Sequence, residues 1–312
     1  MPPKRENHKS NVDFAAALRQ HGALHATAAQ DFGEQATSNS SPPNRWKKNT
    51  NEVTSSHGRT AANRTVLSES PWTCYNELYS LQFGTSVHFS IAERKQFQPE
   101  ENPLCIVKRF SAVDAQECIQ SVQRIRHPQF VQALDFFLVQ EEYFVAFEYM
   151  PLSLAEVAGN PLMNDLRLSS MLGQVVDGLL YLEKNSLGHG QLTCSNILID
   201  TSGSVKLWGQ EFIQKRLSFK ETIKSLAVIT MKLVQGYAKE DGTIGLDRPG
   251  RFPLGFDFLS ALEQMSSMRD LTKHKLLRPP WSKKVLVGLV SLVHIWSDRG
   301  YKLNPRKREH ET

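Results

Sequence analysis

The apolar positions of this chain fall into three regimes. Through residue 70 they are sparse: Ser, Asn, Thr, Gln, Ala and charged residues dominate, and aromatic and β-branched side chains are few. Such a segment cannot bury enough surface to offset its chain entropy, so residues 1–70 are expected to be a disordered tail, with order beginning near Pro71. A short helical pattern at 12–20 puts Phe14 and Leu18 on one face. From Pro71 come β-prone runs at 78–81, 87–92 and 104–110, then at 130–137 and 143–147, which read as one antiparallel sheet. Between the third and fourth runs, 112–126 carries Val113, Ile119, Val122 and Ile125 at helical spacing, and His127-Pro128 closes that helix. After Met150-Pro151 the period changes. Leu168, Met171, Leu172, Val175, Val176, Leu179 and Leu180 form an i, i+3, i+4, i+7 stripe on a segment ending near Lys184. Runs at 197–199 and 205–207 flank Asp200-Thr-Ser-Gly203 and predict a short hairpin. Helices are expected over 222–235, stopped by Gly236, over about 256–268, and after Pro279-Pro280-Trp281-Ser282. The apolar run at 285–296 is well short of the roughly 20 residues that span hydrocarbon, so a buried helix and no membrane contact are expected.

Composition narrows the function classes. A chain of 312 residues with 40% apolar content suits a two-lobed unit plus an unstructured extension. The net charge of +5 comes from scattered basic residues, so nucleic-acid binding is not indicated. Cys74, Cys105, Cys118 and Cys194 lie far apart with no C-x-x-C pair, which suggests neither a zinc site nor a disulfide framework and fits a reducing compartment. The start Met-Pro-Pro-Lys-Arg has no apolar stretch. No secretory signal is therefore expected, the Asn39 and Asn63 sequons lack a glycosylating environment, and the expected location is intracellular, cytoplasmic or nuclear. Basic runs at 2–5 and 305–308 resemble short nuclear-import patches, although such runs are commonly solvated termini. The Ser/Thr-rich tail offers hydroxyl acceptors for phosphorylation.

Particular strings carry a resemblance. Residues 187–200, Leu-Gly-His-Gly-Gln-Leu-Thr-Cys-Ser-Asn-Ile-Leu-Ile-Asp, resemble the protein-kinase catalytic loop H-R-D-x-x-x-x-N, with His189 and Asn196 at that spacing. Residues 203–212, Gly-Ser-Val-Lys-Leu-Trp-Gly-Gln-Glu-Phe, resemble the serine/threonine kinase run G-x-V-K-L-x-D-F-G-F. Cys105-Ile-Val-Lys108 resembles V-A-I-K, Arg126-His-Pro-Gln-Phe-Val131 resembles H-P-N-I-V, and Val145-Ala-Phe-Glu-Tyr-Met150 resembles the strand leading into the kinase hinge. Together with the order of predicted elements, these strings make most of 71 to about 262 similar to the protein kinase family. The resemblance implies an α+β, bilobal fold. A small antiparallel sheet lobe would span 71–150 and a mostly helical, shortened lobe 151–304, ahead of a basic tail at 305–312. It also implies site roles. Lys108 would give a fixed cation to the ATP phosphates, and Gly84 and Val87 would belong to the glycine-rich loop. Phe147 would guard the back of the pocket, Glu148 and Met150 would face adenine through their backbone, and Asn196 would contact metal and nucleotide.

Where the chain departs from the pattern, chemistry is missing. The catalytic aspartate falls at Gln191, which takes no proton at neutral pH, and the arginine before it at Gly190. The D-F-G triplet falls on Gly209, Gln210 and Glu211, which leaves Asn196 and, as a substitute, Glu211 as oxygen ligands for magnesium. The glycine-rich loop keeps one glycine, Gly84. The helix position facing Lys108 holds Glu117 or Cys118, depending on one loop residue, and a Lys108–Glu117 pair is one expectation. Between Phe212 and Thr222 there is no room for an activation segment, and the aspartate that anchors the following helix falls at Thr222. The resemblance thus implies a catalytically inactive pseudokinase, a binding or regulatory scaffold with weak or absent ATP binding and undecided magnesium binding. Its partner would be a protein, an active kinase being one candidate. Two alternatives stay open: a residual serine/threonine phosphotransferase using Lys108, Asn196 and Glu211, and a degenerate gene product whose shortened second lobe does not fold stably.

Overall fold

A computed structural model describes residues 65–83, 87–110, 115–215, 217–278 and 282–299, without the side chains of 81–83, 87–88 and 297–299. The 12–20 pattern, Gly84, the start of the 112–126 segment and both basic runs lie outside the described residues.

Six strands form the first sheet: β1 Val66–Leu67, β2 Tyr75–Phe83, β3 Val87–Arg94, β4 Leu104–Phe110, β5 Ala133–Val139 and β6 Glu142–Glu148, in the order β1-β5-β6-β4-β3-β2. Pairing is already present ahead of Pro71, the expected start of order: Val66 and Leu67 pair in parallel with Phe136 and Phe137. Two apolar residues in a polar stretch give no periodicity to read, because the partner that orders them is 70 residues away. The other ladders are antiparallel. Central β4 buries Cys105, Ile106, Val107, Lys108 and Phe110, the near-continuous burial of a strand covered on both faces. The tight β5–β6 hairpin places both Gln140 and Glu141 at positive φ, 48° and 67°, the backbone that a two-residue turn with matching twist demands. Helix α1, Ala115–Arg124, buries Ala115, Ile119 and Val122 and exposes Gln116, Glu117, Gln120 and Arg124.

The second lobe begins at β7, Leu152–Ser153, where Ser153 and Glu156 form a capping box that starts α2, Leu154–Val157. Helix α3, Asp165–Lys184, buries the expected stripe through Leu179 and adds Leu182, while Leu180 packs at the margin. Strands β8 Leu187–His189, β9 Ile197–Ile199, β10 Val205–Leu207 and β11 Ile213–Lys215 make two small sheets, β10-β9-β7 and β11-β8. Helix α4, Phe219–Gln235, starts before residue 222 because Ser218 and Glu221 cap it, and it ends at Gly236 with φ +89°. The expected 256–268 helix is instead two pieces, α5 Pro253–Leu262 and α6 Met268–Leu271, the second restarted by a Ser267 cap. A 3-10 turn, Lys283–Leu286, leads into α7, Val287–Arg299, which buries Leu289, Val290 and Val293. No described helix is long and apolar enough to cross a membrane.

Candidate functional site

Lys108 lies in the middle of β4, paired across to Phe89 and Val145, and is only 9% exposed. A buried ammonium needs a counter-charge and finds it in Glu211, whose Oε1 accepts its hydrogen bond. Both side chains are shielded, 11% and 7% exposed. Three rings surround the ammonium, Trp208 at 5.1 Å, Phe110 at 5.2 Å and Phe212 at 5.9 Å from their centroids, a desolvated cation–π setting. Glu117 is exposed on α1, so the Lys108–Glu117 expectation is corrected: the lysine is met from the other lobe.

The turn that delivers Glu211 depends on Gly209. Its backbone is left-handed, φ +85° and ψ 45°, and a Cβ there would come within 2.8 Å of the Phe212 ring. A 3-10 turn, Gln210–Phe212, follows at once. Phe212 folds back onto Gly209, Gln210 is buried with its Nε2 donating to the Val131 carbonyl at 2.6 Å, and Glu211 points to Lys108. Satisfaction is incomplete: Glu211 Oε2, Trp208 Nε1 and Gln210 Oε1 are buried without a hydrogen-bond partner.

Trp208, the residue before Gly209, is the hub. Its ring packs edge-on against Phe89 at 6.0 Å and against fully buried Phe147 at 6.3 Å, its face lies beside Lys108, and its carbonyl accepts from His189 Nε2 at 2.8 Å. His189 Nδ1 in turn accepts from the Gln191 N–H at 3.3 Å. One nitrogen donating and the other accepting describes a neutral imidazole, and burial, the main influence, pushes its pKa below the ordinary value. Gln191 itself is exposed, and Asn196 Nδ2 donates to the Gln191 carbonyl at 2.9 Å, so the amide closes its own loop. After Phe212, β11 pairs with β8, Ile213 opposite His189, and the chain reaches the α4 cap at Ser218 within a few residues. Thr222 lines a cavity of about 210 Å³ with Leu179, Leu182, Leu217 and Phe219.

At the strand leading out of the first lobe, the Glu148 N–H donates to the Gln132 carbonyl. The Glu148 carboxylate accepts from Lys206 Nζ at 2.6 and 2.7 Å and from the Gln132 N–H at 2.7 Å. This side chain therefore fastens the sheet to the β9–β10 hairpin. Met150 is buried, and Val87 pairs with Phe83 in the β2–β3 ladder. The structure thus gathers Lys108, Glu211, Phe147 and His189 around Trp208, and holds Gln191 and Asn196 together on the neighbouring loop. Sequence reasoning passed over Trp208 and Phe89, although a bulky aromatic directly before the Gly209 position is visible in the string.

The protein kinase domain model matches residues 104–212. The serine/threonine-protein kinase shk1/pak1 of Schizosaccharomyces pombe is 24% identical over 215 residues, covering 54% of this chain and 33% of that protein. The serine/threonine-protein kinase PAK 1 of Mus musculus is 24% identical over 216 residues, covering 54% and 39%. The chain spans between a third and two fifths of the length of these curated relatives.

Proposed function

We propose that this chain, which belongs to the protein kinase-like family, is a catalytically inactive member that works by binding a protein partner and transfers no phosphate. The observation that carries the reading is the Lys108–Glu211 pair: the cation that would meet the nucleotide phosphates is already neutralised from within. The loop chemistry supports it. Gln191 and Gly209 stand where a base and a metal-binding carboxylate would be needed, and the Asn196 amide is engaged with the Gln191 carbonyl. In this reading the residues as arranged do not fit a magnesium–triphosphate, since magnesium favours carboxylate oxygens and Glu211 is held against Lys108. The cooperative features of the second lobe, with its capping boxes and buried α3 stripe, favour a stably folded binding module over a degenerate product.

A calorimetric titration of the full chain with ATP, with and without magnesium, tests this. The reading predicts that magnesium brings no gain in affinity. Binding that tightens about tenfold or more with magnesium and vanishes in Lys108→Met would overturn it.

A further inference from the structure

We infer that Glu211 is the resident anion of an oxyanion site centred on Lys108, a latch that the phosphate chain of a nucleoside triphosphate displaces without metal. This rests on the reading of the cleft as kinase-like and inactive, and adds how its occupancy is regulated. The Lys108 ammonium is held by its strand and by the Phe110 and Trp208 rings, which lie outside the turn that carries Glu211; the third ring, Phe212, belongs to that turn. Its counter-charge, by contrast, comes from a three-residue turn on a left-handed glycine, outside the sheet that holds the lysine.

The resident carboxylate also fits the site incompletely. Its second oxygen, Oε2, is buried with no donor, and the Trp208 indole N–H beside the same lysine is buried with no acceptor. A buried polar group without a partner has lost its hydration with nothing in return, so the closed arrangement carries an unmet demand on both signs. A phosphate presents several acceptor oxygens where the carboxylate presents one to Lys108, and can meet the ammonium and the indole N–H together. In this exchange the Glu211 side chain leaves Lys108 and the incoming anion takes its place. The charge arithmetic favours exchange over simple addition, because a second anion beside a retained carboxylate would be repelled.

The test uses the full chain as wild type, Glu211→Gln, Glu211→Ala and Lys108→Met/Glu211→Gln. ATP and inorganic tripolyphosphate are titrated in EDTA, with affinity read by calorimetry and melting temperature by circular dichroism. Removing the latch is expected to lower the unliganded melting temperature. It is also expected to tighten ATP binding by roughly tenfold or more, the effect of one charge-assisted hydrogen bond, with the gain abolished in the double variant. Tripolyphosphate reproducing the gain assigns it to the anion site alone; a gain with ATP only adds a base contact to the same site. Equal affinity in wild type and Glu211→Gln overturns the latch, as does a gain that survives loss of Lys108. Failure of both Glu211 variants to melt cooperatively would make the carboxylate a fixed structural counter-charge and overturn it equally. Magnesium-dependent binding by the wild type would sink the inactive reading alone, leaving the comparison of variants to judge the latch.

Discussion

Replacing Lys108 by methionine isolates the energetics of the buried pair. Methionine keeps much of the side-chain volume among Trp208, Phe110 and Phe212 but removes the charge, leaving the Glu211 carboxylate 7% exposed with neither oxygen partnered by a cation. Removing one member of a buried ion pair costs about 3–5 kcal/mol, whereas replacing both by neutral groups of similar volume is often close to neutral. The single variant is therefore expected to lose about 3–5 kcal/mol, and for a folded region of this size its melting temperature should fall by the order of 10 °C. The double variant Lys108→Met/Glu211→Gln should recover most of that, giving a coupling of about 2 kcal/mol or more between the two sites. Urea denaturation followed by far-UV circular dichroism on wild type, both singles and the double completes the cycle. Single and double losses that simply add, or a Lys108→Met loss under about 1 kcal/mol, would refute a buried, mutually dependent pair.

Three further outcomes follow from the geometry. Glu117→Ala, at an exposed site on α1, is expected to change stability by less than about 0.5 kcal/mol in the same denaturation assay, where a Lys108–Glu117 pair would require several times that. Gly203→Ala drives a Cβ into the Lys283 carbonyl oxygen at φ +81°, and is expected to cost about 3 kcal/mol or more and to loosen the Gln174 contacts to that turn, read by thermal melting and by hydrogen exchange at Val205. Burial holds the folded-state pKa of His189 below the ordinary imidazole value of 6.5, so between the two values the unfolded chain binds more protons. The stabilisation is full above pH 6.5 and declines as pH falls toward the folded pKa; melting curves from pH 8 to 5 should show a shallower loss in His189→Gln than in wild type.

Much of the scaffold was legible in the sequence because its elements carry strong local signals. The α3 stripe, the β9–β10 hairpin around Gly203 and the strand 104–110 fall where the periodicity puts them. Boundaries shifted where a cap overrode the apolar pattern, as Ser218 does for α4 and Ser267 for α6. The strand expected from Phe130 starts at Ala133, since Phe130 instead makes an isolated bridge to Leu207. Strands β1, β8 and β11 are two or three residues long and exist only through distant partners, so no window of sequence announces them. At the site, string spacing located His189, Asn196 and Lys108, but the lysine's partner could not be read that way. Glu211 reaches Lys108 across 103 positions because Gly209 permits a reversal that another residue would strain. The same holds for Glu148, whose carboxylate is committed to Lys206 on the opposite lobe. Charge pairing between lobes is a property of the assembled fold.

The proposed absence of phosphate transfer rests on Gln191 and Gly209, which stand where a base and a metal-binding carboxylate would be needed, and on the Lys108–Glu211 pair. The most direct measurement is transfer of the γ-phosphate from radiolabelled ATP by the full chain, with magnesium or manganese, to itself and to generic protein substrates, beside Lys108→Met. Incorporation no greater than that of the Lys108→Met control is expected under every metal. Incorporation that rises with time and enzyme concentration and disappears in Lys108→Met would contradict it.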